Sequence, residues 1–212
     1  MLLPHYDIVG LYLMENVITK KEQRELLKRM ITVDGDMPIS GYTSVREYGW
    51  PLVKRKGLYA PRSSIIKEDF VEIPEWMDEL WKKIIDRTNM KEIIPDLNLY
   101  DNALVNIYDK INNSLIDHFD DPVAWTQWII GLSMGEEIEM DFKNTKNINE
   151  KYKVKLPAYS IYVMIGDARY NYTHGFEKHE FNTLPKRVSI TFRRINDKYL
   201  IDDVRKEAKR YV

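Results

Sequence analysis

Arg187-Val188-Ser189-Ile190-Thr191-Phe192-Arg193 alternates without a break: Val188, Ile190 and Phe192 point one way, and Arg187, Ser189, Thr191 and Arg193 the other. A period of two marks a β-strand. The same period governs the chain back to about residue 102. Leu104, Asn106 and Tyr108 share one face there, and Ala103, Val105 and Ile107 share the opposite one. Ile129-Ile130-Gly131-Leu132-Ser133-Met134 has the composition of a buried strand, and Ile138, Met140 and Phe142 alternate with Glu139 and Asp141. After a polar, turn-rich stretch from Asn144 to Glu150 come Val154-Lys155-Leu156, the run from Ser160 to Ile165, and a segment around His174.

Ahead of residue 102 the period is 3.6. Thr19-Lys20-Lys21-Glu22 matches a capping box, followed by Leu26, Leu27, Met30 and Ile31 on one helical face. Pro74 suits the first turn of a second helix carrying Trp76, Leu80, Trp81, Ile84 and Ile85. A short apolar run, Ile8 to Met14, reads as a strand, and Val204 to Val212 as a charged helical end. Two helices ahead of about eight short strands, without alternating strand-helix units, predict a mainly β chain with flanking N-terminal helices and an antiparallel double-sheet barrel. At 212 residues the chain suits one domain, 1–212, with its barrel over 100–195. The intervening 35–65, broken by Gly35, Pro38, Gly41, Gly49, Pro51, Gly57 and Pro61, reads as an irregular accessory flap.

Hydrophobic residues at 44% and a net charge of −1 describe a folded globular chain without the overall basicity that would announce nucleic acid. A local patch escapes such a sum. The flap is the one stretch mixing cations and rings densely: Tyr48, Trp50, Lys54, Arg55, Lys56, Tyr59 and Arg62. The absence of cysteine excludes disulfides and thiolate metal sites. With neither a signal-like start nor a membrane-length apolar run, the expectation is a soluble intracellular monomer, cytoplasmic or nuclear, with no membrane partner.

Among four histidines, Asp117-His118-Phe119-Asp120-Asp121 sets an imidazole and a carboxylate two residues apart, on one face if the segment is extended. Two histidines and one carboxylate around an octahedral ion leave the opposite positions open, as non-haem Fe(II) oxygenases require. His174 is the best third ligand, while His5 and His179 read as ordinary hydrogen-bonding residues. Arg187 and Arg193 stand roughly 20 Å apart along one strand face, and leaning side chains could hold a small dicarboxylate between them. A solvated edge strand would carry the same pattern.

Taken in order, Asn106-x-Tyr108, His118-x-Asp120, His174-Gly175 and Arg187-x-Ser189-x-Thr191-Phe192-Arg193 resemble the AlkB family of Fe(II)- and 2-oxoglutarate-dependent dioxygenases. Within it, Leu132-Ser133-Met134-Gly135, Met140-Asp141-Phe142-Lys143 and Val163 to Tyr170 look closest to the branch that hydroxylates a modified wobble uridine in tRNA. The resemblance implies a double-stranded β-helix, iron held by His118, Asp120 and His174, and O₂ as oxidant. It implies Arg187 and Tyr108 on the distal carboxylate of 2-oxoglutarate, Arg193 and Asn106 near the carboxylate that chelates iron, and Ser189 where the family often has asparagine.

Three function classes are compatible with these residues. The first is oxidation of a nucleobase, by hydroxylation or demethylation, in RNA such as tRNA or in alkylated DNA. A protein side-chain hydroxylase or demethylase would share the iron site. A barrel that binds metal or dicarboxylate without turnover is the third. The flap favours the first, with its cations on phosphates and Tyr48, Trp50 or Tyr59 stacking a base.

Overall fold

The structure is a computed structural model and describes residues 1–32, 39–40, 43–50, 54–55, 58–59, 70–108, 113–122, 125–179 and 187–196. In chain order its elements are β1 (Leu3–Pro4), β2 (Leu11–Met14), α1 (Lys20–Thr32), β3 (Ile39–Ser40), β4 (Thr43–Gly49), β5 (Lys54–Arg55) and β6 (Leu58–Tyr59). They continue with α2 (Glu75–Arg87), α3 (Met90–Ile93), β7 (Asn102–Tyr108), β8 (Asn113–His118), β9 (Trp125–Gly135), β10 (Ile138–Asn144) and β11 (Lys151–Leu156). Last come β12 (Ser160–Ile165), α4 (Gly166–Tyr170), β13 (Tyr172–His179) and β14 (Arg187–Ile195).

Two antiparallel sheets face each other in a jelly roll. The larger runs β1-β2-β12-β9-β14-β7-β4-β3, the smaller β11-β10-β13-β8, and β5-β6 form a separate pair. β14 lies between β9 and β7, so the solvated edge that its sequence pattern also allowed is not where it sits. Its two faces serve two cores. Val188, Ile190 and Phe192 join Ala103, Val105, Trp128, Ile130 and Leu132 under the helices. The opposite face looks into the barrel, among Tyr108, Ile129, Phe142, Tyr162, Met164 and Phe176.

The capping box forms as written: Glu22 N donates to Thr19 Oγ1 at 3.2 Å, and Thr19 N to Glu22 Oε2 at 2.8 Å. Arg87 and Lys83 close on the same Glu22 carboxylate, which ties α2 to the start of α1 and holds that carboxyl well below the usual range. α2 begins after Pro74 and buries Trp76, Met77, Leu80, Trp81 and Ile84, the stripe a 3.6 period selects. Trp81 meets the large sheet through Phe192, 5.1 Å between ring centroids, and Trp128, stacked at 5.9 Å. Removing the Phe192 ring from this contact would cost about 3–5 kcal/mol.

The sequence reading of 35–65 needs one correction. Thr43–Gly49 is not irregular but a strand, β4, paired with β7 from Ser44↔Ile107 to Gly49↔Asn102. The glycines and prolines around it hide a run in which Thr43, Val45 and Tyr48 suit a sheet. Lys56 and Arg62 of the expected flap, like the expected helix over 204–212, lie outside the described residues. The backbones of Lys54, Arg55 and Tyr59 fall in the β5-β6 pair. Among the described residues no helix is long and apolar enough to cross a membrane.

Candidate active site

β8 and β13 are neighbours in the small sheet, and their register sets His118 directly opposite His174. The residue after His174 makes that approach possible. A Cβ on Gly175 would stand 2.5 Å from the Leu115 carbonyl oxygen and 2.8 Å from the Asp117 nitrogen, too close for any side chain. The two imidazoles come to 4.5 Å between ring centroids, and the His174 ring stacks on Phe142 at 6.0 Å.

β8 ends at His118, so Asp120 is placed by the loop beyond the strand rather than by the strand's pleat. Arg169 does the placing. Buried in α4, it donates from Nη1 to the Asp120 carbonyl at 2.7 Å and from Nη2 to the Asp121 carbonyl at 3.0 Å. Burial lowers the Arg169 pKa, a cost offset in part by the Asp120 carboxylate. The sequence reading assigned Arg169 no role. Its one signal, a cation in the apolar context Ala168-Arg169-Tyr170 shortly before His174, is weak.

Ligand atoms of His118, Asp120 and His174 all lie within 4.8 Å of one another. Their chemistry fits a divalent iron. The Nδ1 of His118 is 2.9 Å from the Ile116 carbonyl, which can only accept, so Nδ1 carries the hydrogen and Nε2 is left for a metal. Burial pushes His174 down to about 4, against the pull of Asp120, and keeps the ring neutral at physiological pH. Burial alone would raise the Asp120 carboxyl; Arg193, His174, His118 and Arg169 outweigh it and hold the group below its ordinary value. Arg193 reaches Asp120 directly and lies over the Trp125 ring, 5.3 Å from its centroid. Trp128, its companion in sequence, belongs to the helix-side core instead.

At the other end of β14, Arg187 is 1% exposed and opposite Tyr108. Its Nη1 donates to Ser133 Oγ at 2.9 Å and its guanidinium lies between the Tyr108 and Phe176 rings, about 6 Å from each. Its Nε has no partner, and among the described residues it forms no ion pair with a carboxylate. A buried guanidinium without an anion is costly, and burial lowers its pKa accordingly. That orphaned charge fits the distal carboxylate of a dicarboxylic ligand. Ser189 hydrogen-bonds Tyr108, and Asn106 lies opposite Ser189 on the same inner face.

Other expected residues have other places. Tyr48 is buried in the helix-side core with Trp76 edge-on at 6.5 Å, and Trp50 packs on Phe70 at 4.8 Å. Both rings are committed to packing: Tyr48 lies within β4, Trp50 directly follows it, and both are buried. Asp117 pairs with Lys143 on the outer face at 2.5 Å, and His179 lies 3.3 Å from Glu136.

A family model described as the 2OG-Fe(II) oxygenase superfamily matches residues 10–193. The chain is similar to the uncharacterized protein L905 of Acanthamoeba polyphaga mimivirus, 28% identical over 89% of this chain and 86% of that one. It is 27% identical, over 82% of its length, to the tRNA (carboxymethyluridine(34)-5-O)-methyltransferase ALKBH8 of Mus musculus, but spans only 25% of that protein. With the alkylated DNA repair protein ALKBH8 homolog of Arabidopsis thaliana it shares 24% identity over 90% of its length and 60% of the relative's. The solved structure of OsALKBH1 superposes with a TM-score of 0.64 at 16% identity, covering 90% of this chain and all of that one, which shows a common fold.

Proposed function

Because the chain belongs to the 2OG-Fe(II) oxygenase superfamily, as an AlkB-like dioxygenase using Fe(II), 2-oxoglutarate and O₂, we propose that it oxidises a modified or alkylated nucleobase, first of all in RNA such as a tRNA wobble uridine. The observation that carries the substrate class is that relatives matching over four-fifths of this chain are named for tRNA uridine modification and for alkylated DNA.

His118, Asp120 and His174 hold the iron, which with 2-oxoglutarate and O₂ supplies the oxidising power. Everything else is positioning. Arg187, with Tyr108 above it and Ser189 orienting Tyr108, takes the distal carboxylate. Arg193 and Asn106 serve the iron end. Arg169 holds the loop that carries Asp120. The cofactor-binding face is walled by Phe142, Phe176 and Met164, which exclude water from it.

A base must leave its stack to reach a barrel interior, and an unpaired loop already offers it in that condition. We assign phosphate contact to Lys54, Arg55, Lys56 and Arg62 and base stacking to Tyr59, since Tyr48 and Trp50 are buried. The protein acts as a single 1–212 domain and as a monomer in this reading. Candidate tRNAs and alkylated oligonucleotides, incubated with iron and 2-oxoglutarate, are digested to nucleosides and weighed by mass spectrometry. A tRNA nucleoside that gains one oxygen or loses an alkyl group supports the proposal. Change confined to DNA oligonucleotides would make this a repair demethylase, and no changed nucleoside in either would turn attention to protein side chains.

A further inference from the structure

Tyr162 stands on β12 opposite Gly131 of β9, and its phenol ring lies across that glycine. A Cβ at Gly131 would come within 2.2 Å of ring atoms Cε1 and Cζ and 2.5 Å of the hydroxyl. Only glycine leaves the ring this position. Gly131 in turn faces Thr191 on β14, midway along the stretch between Ser189 and Arg193. The phenol therefore extends across β9 toward the face of β14 that carries both arginines.

From the other direction, Arg187 reaches Ser133, two residues from Gly131 on the same inner face of β9. Tyr162 is 5% exposed, with its ring inside the barrel rather than on the helix side. Burial pushes the phenol up to about 12, with the Asp120 carboxylate adding to the rise while Arg187 and Arg193 oppose it. It is thus a neutral donor that feels both ends of the site. A phenol hydroxyl held this deep in a barrel needs an acceptor for its proton to offset the lost hydration.

We infer that Tyr162 is a cosubstrate-binding residue whose hydroxyl donates to a carboxylate oxygen of 2-oxoglutarate on the inner face between Arg187 and the His118, Asp120, His174 triad. Gly131 is the residue that admits it. The inference rests on Arg187 being the distal clamp, but not on any choice of oxidised substrate.

Tyr162→Phe keeps the ring over Gly131 and removes only the hydroxyl. The affinity of 2-oxoglutarate is measured by titration calorimetry on manganese-loaded protein, without O₂ or nucleic acid, so that nothing turns over. Tyr162→Phe should weaken 2-oxoglutarate about tenfold to hundredfold, the worth of a hydrogen bond to a charged group, with manganese affinity unchanged. Arg187→Lys in the same titration separates the premise from the inference. If Arg187→Lys weakens binding and Tyr162→Phe matches the wild type, the phenol is packing and the inference is overturned. If Arg187→Lys binds as the wild type does, the clamp is misplaced and the inference falls with it. Loss of manganese affinity in Tyr162→Phe would assign the phenol to support of the triad and also overturn it.

Discussion

The eight-stranded sheet is covered on both faces, by α1 and α2 outside and the barrel interior inside, whereas the four-stranded sheet gives its outer face to solvent. Their charges behave accordingly. On the small sheet Lys153 pairs with Asp141 at 3.5 Å and Lys155 with Glu137 at 2.8 Å, with both ammonium groups out in solvent, where such pairs are worth little. On the large sheet a charge is buried and must be answered from within. Arg193 is answered by Asp120; Arg187 is answered by a hydroxyl, a carbonyl and two aromatic faces, but by no carboxylate among the described residues. The contrast shows where to look for chemistry: at the buried charge whose partner the fold does not supply.

The comparison can be broken most severely at the ligands that the small sheet contributes to the interior. His174→Ala should abolish one-equivalent Fe(II) binding while circular dichroism keeps the strand signal, since the change removes a ligand and leaves the ladder intact. Metal titrating at one equivalent with wild-type affinity would show that the ligand set is wrong.

Acid should act next most strongly, and on the buried side alone. His174 has its folded pKa near 4 against about 6.5 unfolded, so between these values the unfolded chain binds a proton that the folded chain refuses. Stability of the metal-free protein therefore falls as pH drops through that window, by about 3 kcal/mol in all. Asp120, also depressed, adds its loss at lower pH still. Urea midpoints at several pH values should fall more steeply for the wild type than for His174→Gln, and parallel slopes would contradict the burial argument.

Arg187→Lys sharpens the claim about the unanswered charge. An ammonium keeps the charge but not the fork, so 2-oxoglutarate should weaken by about 1.5–3 kcal/mol with metal affinity unchanged. An unaltered Michaelis constant for 2-oxoglutarate would remove Arg187 from the cosubstrate site. The smallest effect belongs to the solvated face: replacing both Asp117 and Lys143 by alanine should move stability by no more than about 1 kcal/mol and leave cosubstrate affinity alone. A larger effect would mean that the outer face also positions His118.

Much of this was legible before any coordinates. The alternation of Arg187 to Arg193 defines its two faces, the box at Thr19 to Glu22 starts a helix, and α2 carries its apolar stripe in plain view. All three are local patterns, set by the backbone period or by groups three residues apart. The resemblance to AlkB dioxygenases likewise rested on short motifs in order. β4 was missed because Gly41, Gly49 and Pro51 crowd a seven-residue strand, and local punctuation outweighed its propensity.

Sequence by itself determined the two long helices, most of the barrel strands, the class of fold, and the residue types able to hold iron and a dicarboxylate, because those depend on period and on side-chain chemistry. Only the tertiary structure decided that β14 is central rather than an edge, that Arg169 grips the carbonyls of the ligand loop, and that the Tyr162 ring lies over Gly131. Each of these is a contact between strands or loops distant in the chain. Burial, which turns an arginine from a solvated charge into one that needs an anion, is a property of what packs above a residue and is written nowhere in the residues beside it.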